Sequence, residues 1–244
     1  MRWVRSIVAA VLFAIYGLGS LGVGLLLFPL LSIFGARRAK RALVRCSWRL
    51  FRGVAQLTGM VRLAISPQDR AKLAAARGWV VVANHPTLLD IVVLMVLLPD
   101  STGIAKAAAG RNVFYSAIVK GMFLINDDPE RVLEETADLL AAGVNLVVFP
   151  EGTRTPVDAP EHPLRRGAAQ IALRSGAPVL PVTIVCEPPV LARGQPWYDL
   201  ADRTVEWRLK VHEEMQPADF PSGGSARANA VELSERIARA LFQR

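Results

Sequence analysis

Acidic residues are absent from the first 68 positions of this 244-residue chain, where ten arginines and lysines stand: Arg2, Arg5, Arg37, Arg38, Lys40, Arg41, Arg45, Arg49, Arg52 and Arg62. The remainder holds 19 basic and 21 acidic residues, so the formal net charge of +8 belongs to an N-terminal module and not to the globular part. That distribution argues against a nucleic-acid-binding domain and for contact with an anionic membrane surface. Cysteine is almost as scarce. Cys46 and Cys186 lie 140 positions apart and no Cys/His cluster has ligand spacing, which excludes a disulfide framework and signals no metal site. Both thiols read as reduced and structural, with lipidation of Cys46 a weaker alternative. No Gly-x-Ser-x-Gly elbow occurs, so there is no sign of a serine nucleophile.

What the chain has instead is apolar surface: 52% of its residues are hydrophobic. Ile7 to Phe34 carries no charge. It is longer than the apolar core of a secretory signal, about 7–15 residues, and reads as retained. As one helix it would be about 42 Å long, against a hydrocarbon core of about 30 Å. Gly17, Gly19, Gly22, Gly24 and Pro29 break its apolar run, and cations flank both ends. A single span and a re-entrant helical hairpin are both open, and either places the following domain in the cytoplasm. Ala36–Leu57 then repeats Arg38, Arg41, Arg45, Arg49, Arg52 and Gln56 at steps of three and four, with Val44, Trp48, Phe51 and Val54 on another face. This predicts an amphipathic helix in the headgroup layer, cations outward; a basic face packed on the domain is the alternative. The expected division is a membrane anchor over residues 1–60 and a globular domain over 61–244.

From Asp69 on, short apolar runs alternate with helical patterns. Strands are expected at Trp79–Ala83, Gly103–Ala107, Met122–Ile125, Asn145–Phe149, Val179–Val185 and Thr204–Val211. Helices are expected at Thr87–Leu98, Asn112–Lys120, Glu130–Ala142, Arg166–Ser175 and Val231–Phe242. Asp128 reads as an N-cap with Pro129 at the first helical position, and Gly143 and Gly176 as stops. Pro160–Pro163 and Glu187–Pro196 read as loops, and Ser222-Gly223-Gly224-Ser225 as a joint. The pattern predicts an α/β layered domain behind an N-terminal membrane-anchoring helical module.

Two loops carry chemistry. Asn84-His85-Pro86-Thr87-Leu88-Leu89-Asp90 follows the first buried strand. A histidine ending a strand, with a carboxylate a turn into the next helix, makes the base and orienter of a triad without its nucleophile. The hydroxyl it activates then belongs to a substrate. Thr87 reads as an N-cap. By itself this spacing is also what a structural histidine gives. The second loop, Phe149-Pro150-Glu151-Gly152-Thr153-Arg154-Thr155, ends the strand Asn145–Phe149, where a ligand crevice is expected in an open α/β sheet. Its glycine allows close backbone approach, and Arg154 offers a planar fork for phosphate; a solvated Glu–Arg turn is the alternative.

In this order and about 60 residues apart, Asn-His-x4-Asp and Phe-Pro-Glu-Gly-Thr-Arg resemble the lysophospholipid acyltransferase family, from Trp79 to about Val185. The resemblance implies that His85 deprotonates an acceptor hydroxyl while Asp90 orients it. It implies that Glu151, Gly152, Thr153 and Arg154 bind the acceptor, Arg154 toward phosphate. The acyl group would come from a CoA or acyl-carrier-protein thioester and pass to lysophosphatidic acid, with no metal or other cofactor, on the cytoplasmic face of the inner or plasma membrane. Gly167 in Arg165-Arg166-Gly167-Ala168 and the strand Val179-Leu180-Pro181-Val182 also match, the latter shaping the acyl or acceptor pocket. Lys106, Arg165 and Arg166 are further candidate anion contacts.

One position departs from the pattern. The family's Gly-x-x-Phe-Ile-Asp-Arg segment appears as Gly121-Met122-Phe123-Leu124-Ile125-Asn126-Asp127, with Asp127 in place of the phosphate-binding arginine. Lys106, Arg111 or Lys120 are the candidates to compensate. His-Pro-Thr-Leu-Leu-Asp with Asn-Asp-Asp-Pro resembles a subgroup associated with specialised bacterial lipids. An ornithine-lipid or aryl-polyene-type acceptor is therefore the alternative, and a hydrolase or thioesterase a more remote one. His162 and His212 read as surface or structural, and Trp197 and Tyr198 as packing residues.

Overall fold

The computed structural model describes residues 2–34, 36–107, 116–156, 163–196, 199, 201–220 and 225–242. Arg111, His162, Trp197 and Tyr198 lie outside the described residues, as do the start of the expected helix Asn112–Lys120, most of Pro160–Pro163 and the joint up to Gly224.

The apolar run does not fold back at its glycines. Helix α1 (Arg2–Gly22) continues through a π-helical turn, Val23–Leu27, into α2 (Phe28–Ile33). Proline lacks a donor and its ring collides with the carbonyl four residues back in a regular helix. Just ahead of Pro29 the wider turn supplies a different bond, Phe28 N–H to the Val23 carbonyl, so the helix continues. Ile7–Leu31 is long and apolar enough to cross a membrane, and only 12% of its most apolar window is buried in the protein.

Helix α3 (Arg37–Leu57) returns along α1 and α2, with Trp48 Nε1–H donating to the Tyr16 hydroxyl at 2.7 Å. Phe28 is buried against Gly121, where a side chain's Cβ would lie 2.2 Å from the ring. The expectation of outward cations on α3 needs correction. Arg41 turns inward with Val44, Trp48 and Ala55, and its guanidinium makes two bonds to Asp100, at 2.8 and 3.0 Å. Arg45 approaches the same carboxylate, and Arg49 Nε–H reaches the Val96 carbonyl. The Asp100 carboxylate and the Val96 carbonyl thus hold these cations against the domain. Leu50 and Leu57 are exposed instead.

The domain is a seven-stranded sheet with strand order β1-β7-β6-β2-β5-β3-β4. The strands are β1 (Val61–Ile65), β2 (Val80–Ala83), β3 (Ser101–Lys106), β4 (Phe123–Asn126), β5 (Asn145–Val148), β6 (Val179–Glu187) and β7 (Val205–Val211). All neighbours are parallel except β6 and β7, which are antiparallel. Helices α4 (Pro67–Ala75), α5 (Asp90–Leu97), α6 (Ser116–Met122), α7 (Pro129–Ala141), α8 (Gly167–Ser175) and α9 (Ala226–Phe242) cover it. Two elements, β1 and α4, were not expected; α4 has Ser66 as N-cap, accepting from the Asp69 amide, and Pro67 behind it. The expected Asp128 cap is present, accepting from the amides of Glu130 and Arg131.

Side chains of β2 alternate between two cores. Val81 and Ala83 pack with α3, α4 and α5, whereas Val80 and Val82 pack with α7, α8 and α9. The crossover after β2 therefore runs over one face and that after β5 over the other. Adjacent strands whose crossovers diverge leave a crevice between their carboxyl ends, and the two chemistry-bearing loops meet there.

Candidate active site

His85 leaves β2 with its backbone held on both sides. Its N–H donates to Glu151 Oε1 and Thr155 Oγ1, each at 3.0 Å, and its carbonyl accepts from the Thr155 amide at 2.7 Å. Just before it, the Asn84 side chain continues the ladder to β6: its amide nitrogen donates to the Ile184 carbonyl and its oxygen accepts from the Ile184 amide. The imidazole stacks on Phe149 with centroids 4.0 Å apart and planes at 11°. Packing and backbone bonds thus fix both position and plane of the ring.

Asp90 sits 3.0 Å from His85 Nδ1 through Oδ2. This carboxylate is completely buried, yet it is well supplied with donors. Oδ2 also accepts from the Thr87 amide at 2.6 Å, and Oδ1 accepts from the Thr87 hydroxyl at 2.7 Å and from Trp207 Nε1–H at 3.1 Å. Buried charge is tolerated only with such compensation. Thr87 is therefore a ligand of the carboxylate and not the N-cap expected of it; the helix begins at Asp90, three residues later than its apolar run suggests. His85 Nε2 has no hydrogen-bond partner among the described residues, and the side chain is 16% exposed. The geometry presents one ring nitrogen to the crevice and ties the other to a carboxylate, as a general base requires.

The second loop backs the first. Glu151 is 2% exposed and makes no ion pair with Arg154, which removes the solvated-turn alternative. Its Oε1 takes the His85 amide and the Thr155 hydroxyl, while Oε2 is buried and without a partner among the described residues. Gly152 has φ +65°, and a Cβ there would come within 2.8 Å of Arg165 Nε, so the Arg165 guanidinium lies directly on the glycine backbone. Thr153 is half-buried beside it. Arg154 Nη1 donates to the carbonyls of Leu191 and Ala192, at 2.7 and 2.9 Å. Leu191 adopts φ 50°, unusual for a branched side chain, and its carbonyl also accepts from the Leu88 amide. Arg154 thereby joins the Glu151 loop to the segment after β6, and that segment to the His85 loop.

Among the other candidates, Lys106 is exposed at the end of β3, and Arg166 is exposed at the start of α8. Asp127, at the end of β4, is ion-paired with Arg131 one turn on. His212 is structural: it meets the Thr183 hydroxyl at 2.8 Å, and burial lowers its pKa. Burial pushes the Cys186 thiol up to about 12, with nearby Asp90 and Glu187 adding to the shift, so it stays protonated and unreactive. Trp207 and Leu191 contribute to the site without having been singled out from the sequence, and Phe149 and Thr155, named there only as the ends of the second loop, hold the His85 ring and backbone. Beside Trp207 an apolar crevice opens between α3, α5 and β1, lined by Phe51, Ala55, Leu63, Leu89 and Val93.

The comparisons agree with this geometry. The chain is 33% identical over 161 residues to 1-acyl-sn-glycerol-3-phosphate acyltransferase alpha of Mus musculus, covering 59% of this chain and 54% of that protein. It is 29% identical over 186 residues to the 1-acyl-sn-glycerol-3-phosphate acyltransferase of Bacillus subtilis, covering 72% and 88%. The chain spans about half the length of the first curated relatives it matches. The crystal structure of the 1-acyl-sn-glycerophosphate (LPA) acyltransferase PlsC from Thermotoga maritima shares the fold, with a TM-score of 0.65 over 98% of this chain and 97% of that one at 21% identity. The Acyltransferase family model matches residues 64–185, half of the chain, from β1 through both loops into β6. By that match the chain belongs to the Acyltransferase family.

Proposed function

We propose that this protein is a membrane-anchored O-acyltransferase that moves a fatty acyl group from a thioester to the free hydroxyl of lysophosphatidic acid, forming phosphatidic acid. The observation that carries this is a histidine whose Nδ1 is fixed by a buried carboxylate and whose Nε2 has no partner among the described residues, which also place no activated nucleophile beside it. Nε2 takes the proton of the acceptor hydroxyl as the oxygen attacks the thioester carbonyl carbon. The tetrahedral adduct then expels the thiolate, which recovers that proton from the imidazolium. Base catalysis of this kind supplies about 10²–10⁴ in rate. The acceptor binds along the second loop, with Gly152, Thr153 and the guanidiniums of Arg154 and Arg165 on the phosphate side; Glu151, whose Oε2 is buried without a partner among the described residues, backs that loop. The crevice beside Trp207, about 60 Å³ and apolar-walled, takes only an end segment of the acyl chain. The donor is acyl-CoA or acyl carrier protein. The exposed apolar faces of α1, α2 and α3 lie in the bilayer, with the domain on the cytoplasmic side.

Asp127 bears on the acceptor. Its charge is answered by Arg131, so the end of β4 does not confront a phosphate with a bare carboxylate. The test uses the full chain in lipid nanodiscs with a labelled acyl thioester, with and without lysophosphatidic acid, and with ornithine lipid or an aryl-polyene-type alcohol as rival acceptors. Phosphatidic acid that disappears in His85→Ala supports the proposal. Thioester loss independent of any acceptor refutes it in favour of a hydrolase, and acylation of a rival alone refutes the acceptor.

A further inference from the structure

We propose that Trp207 is a positioning residue of the dyad: its indole N–H holds Asp90 Oδ1 so that Oδ2 faces His85, while its ring forms a wall of the apolar crevice. This rests on the reading of His85 as the base. Trp207 lies 117 positions from Asp90, on β7, where it pairs in register with Cys186 of β6 and Leu63 of β1. It is 4% exposed, and its N–H finds the Asp90 oxygen at 3.1 Å. The bond is needed because of how the donors divide. The Thr87 amide and His85 both lie on Oδ2, at 2.6 and 3.0 Å, and the Thr87 hydroxyl takes Oδ1 at 2.7 Å. Three of the four donors thus come from the His85 loop itself and move with it. Among the described residues only Trp207 ties the carboxylate to the sheet.

The indole also has a second face. Phe51, Leu89 and Val93 line the crevice with it, so whatever fills the crevice packs on the ring that fixes the carboxylate. Chain occupancy and dyad geometry then share one side chain. The titratable groups facing the carboxylate are His85 and the Cys186 thiol, with Glu151 beyond on the His85 amide.

Trp207→Phe removes the N–H and keeps an aromatic wall. With that donor gone the carboxylate is free to turn, and the bond between Asp90 Oδ2 and His85 Nδ1, 3.0 Å in the parent, is no longer fixed from the sheet. The expected result is a kcat about tenfold lower, with KM for the thioester within about twofold, and a His85 Nδ1 signal displaced from its position in the parent protein, because its bond to Asp90 has changed. The ring is followed directly by nitrogen NMR with labelled histidine, since the chain has three histidines and His85→Ala assigns the signal. An unmoved His85 Nδ1 signal overturns the inference, whatever the activity does. If Trp207→Phe does not fold, the benzothiophene analogue of tryptophan at position 207 deletes the N–H at constant shape and gives the same two readings. The NMR readout needs no turnover. Acyl transfer that persists in His85→Ala therefore sinks the functional proposal without touching this test.

Discussion

Asp90→Asn tests the dyad with almost no change in shape. The carboxylate accepts from four donors: the amide and hydroxyl of Thr87, Trp207 Nε1–H and His85 Nδ1. An asparagine amide has one accepting oxygen and one donating nitrogen. With the nitrogen in place of Oδ2, it faces the Thr87 amide, a donor 2.6 Å away that cannot reverse. With the nitrogen in place of Oδ1, it faces the Trp207 N–H, equally unable to reverse. Either orientation leaves one buried donor unmade, at about 1–3 kcal/mol. For a chain of this size that is roughly 2–12 °C in the thermal midpoint. The catalytic loss is larger and has a different origin. An amide nitrogen opposite Nδ1 makes that nitrogen an acceptor, which moves the ring proton to Nε2 and removes the base from the crevice. An amide oxygen there keeps the tautomer but no longer stabilises the imidazolium. The expected loss in kcat is about 10²–10⁴. The assay is acyl transfer from a labelled thioester in nanodiscs, alongside thermal unfolding of the same preparation. A variant that unfolds as expected yet keeps more than a tenth of parental kcat would falsify the assignment of Asp90 as orienter.

Two further outcomes follow from the packing and the charges. Gly121→Ala sets a Cβ 2.2 Å from the Phe28 ring and should destabilise the docked N-terminal helices by about 1–3 kcal/mol; adding Phe28→Ala should relieve it, and strictly additive losses in a double-mutant cycle by thermal unfolding refute the contact. His212 has its pKa lowered by burial and then by Lys210, with Asp69 opposing, so the unfolded chain protonates first as pH falls below the usual 6.5. Stability from this group is complete above that pH and is lost toward the folded pKa; the thermal midpoint should drop between pH 7.5 and 5.5, and His212→Gln should flatten the drop.

What was legible in the sequence had a local cause. The strands β2 and β5 are short apolar runs closed by glycine or proline, and Asp128-Pro129 states the start of α7 in two residues. The histidine and aspartate five positions apart were readable because a strand end and the first turn of a helix bring such spacing together. What was not legible depends on partners far off in sequence. Periodicity cannot say that Arg41, with Arg45 beside it, would turn inward to Asp100, 59 positions on from Arg41. β1 is a half-buried edge strand whose five residues carry no strong alternation. Trp207 looks like one more apolar strand residue until Asp90 is opposite it. The continuation of the helix through Pro29 depends on a π-helical turn that no residue type announces.

The second loop shows most clearly why residue roles read from a motif can be incomplete. Glu, Gly, Thr and Arg after a strand suggest groups that hold a ligand, and two of these, Glu151 and Arg154, are partly committed before any ligand arrives, together with the neighbouring Thr155. Glu151 Oε1 holds the His85 amide, Thr155 brackets the same peptide from both sides, and Arg154 is spent on two carbonyls of the segment after β6. Because β2 and β5 are neighbours whose crossovers leave on opposite faces, nothing covalent near the site holds their two loops together. These bonds do so instead. A loop that only gripped the acceptor would leave the histidine free to tilt. One that grips both the histidine backbone and the acceptor sets the distance between Nε2 and the hydroxyl it must deprotonate, and such a distance decides whether a base at the right place is a catalyst.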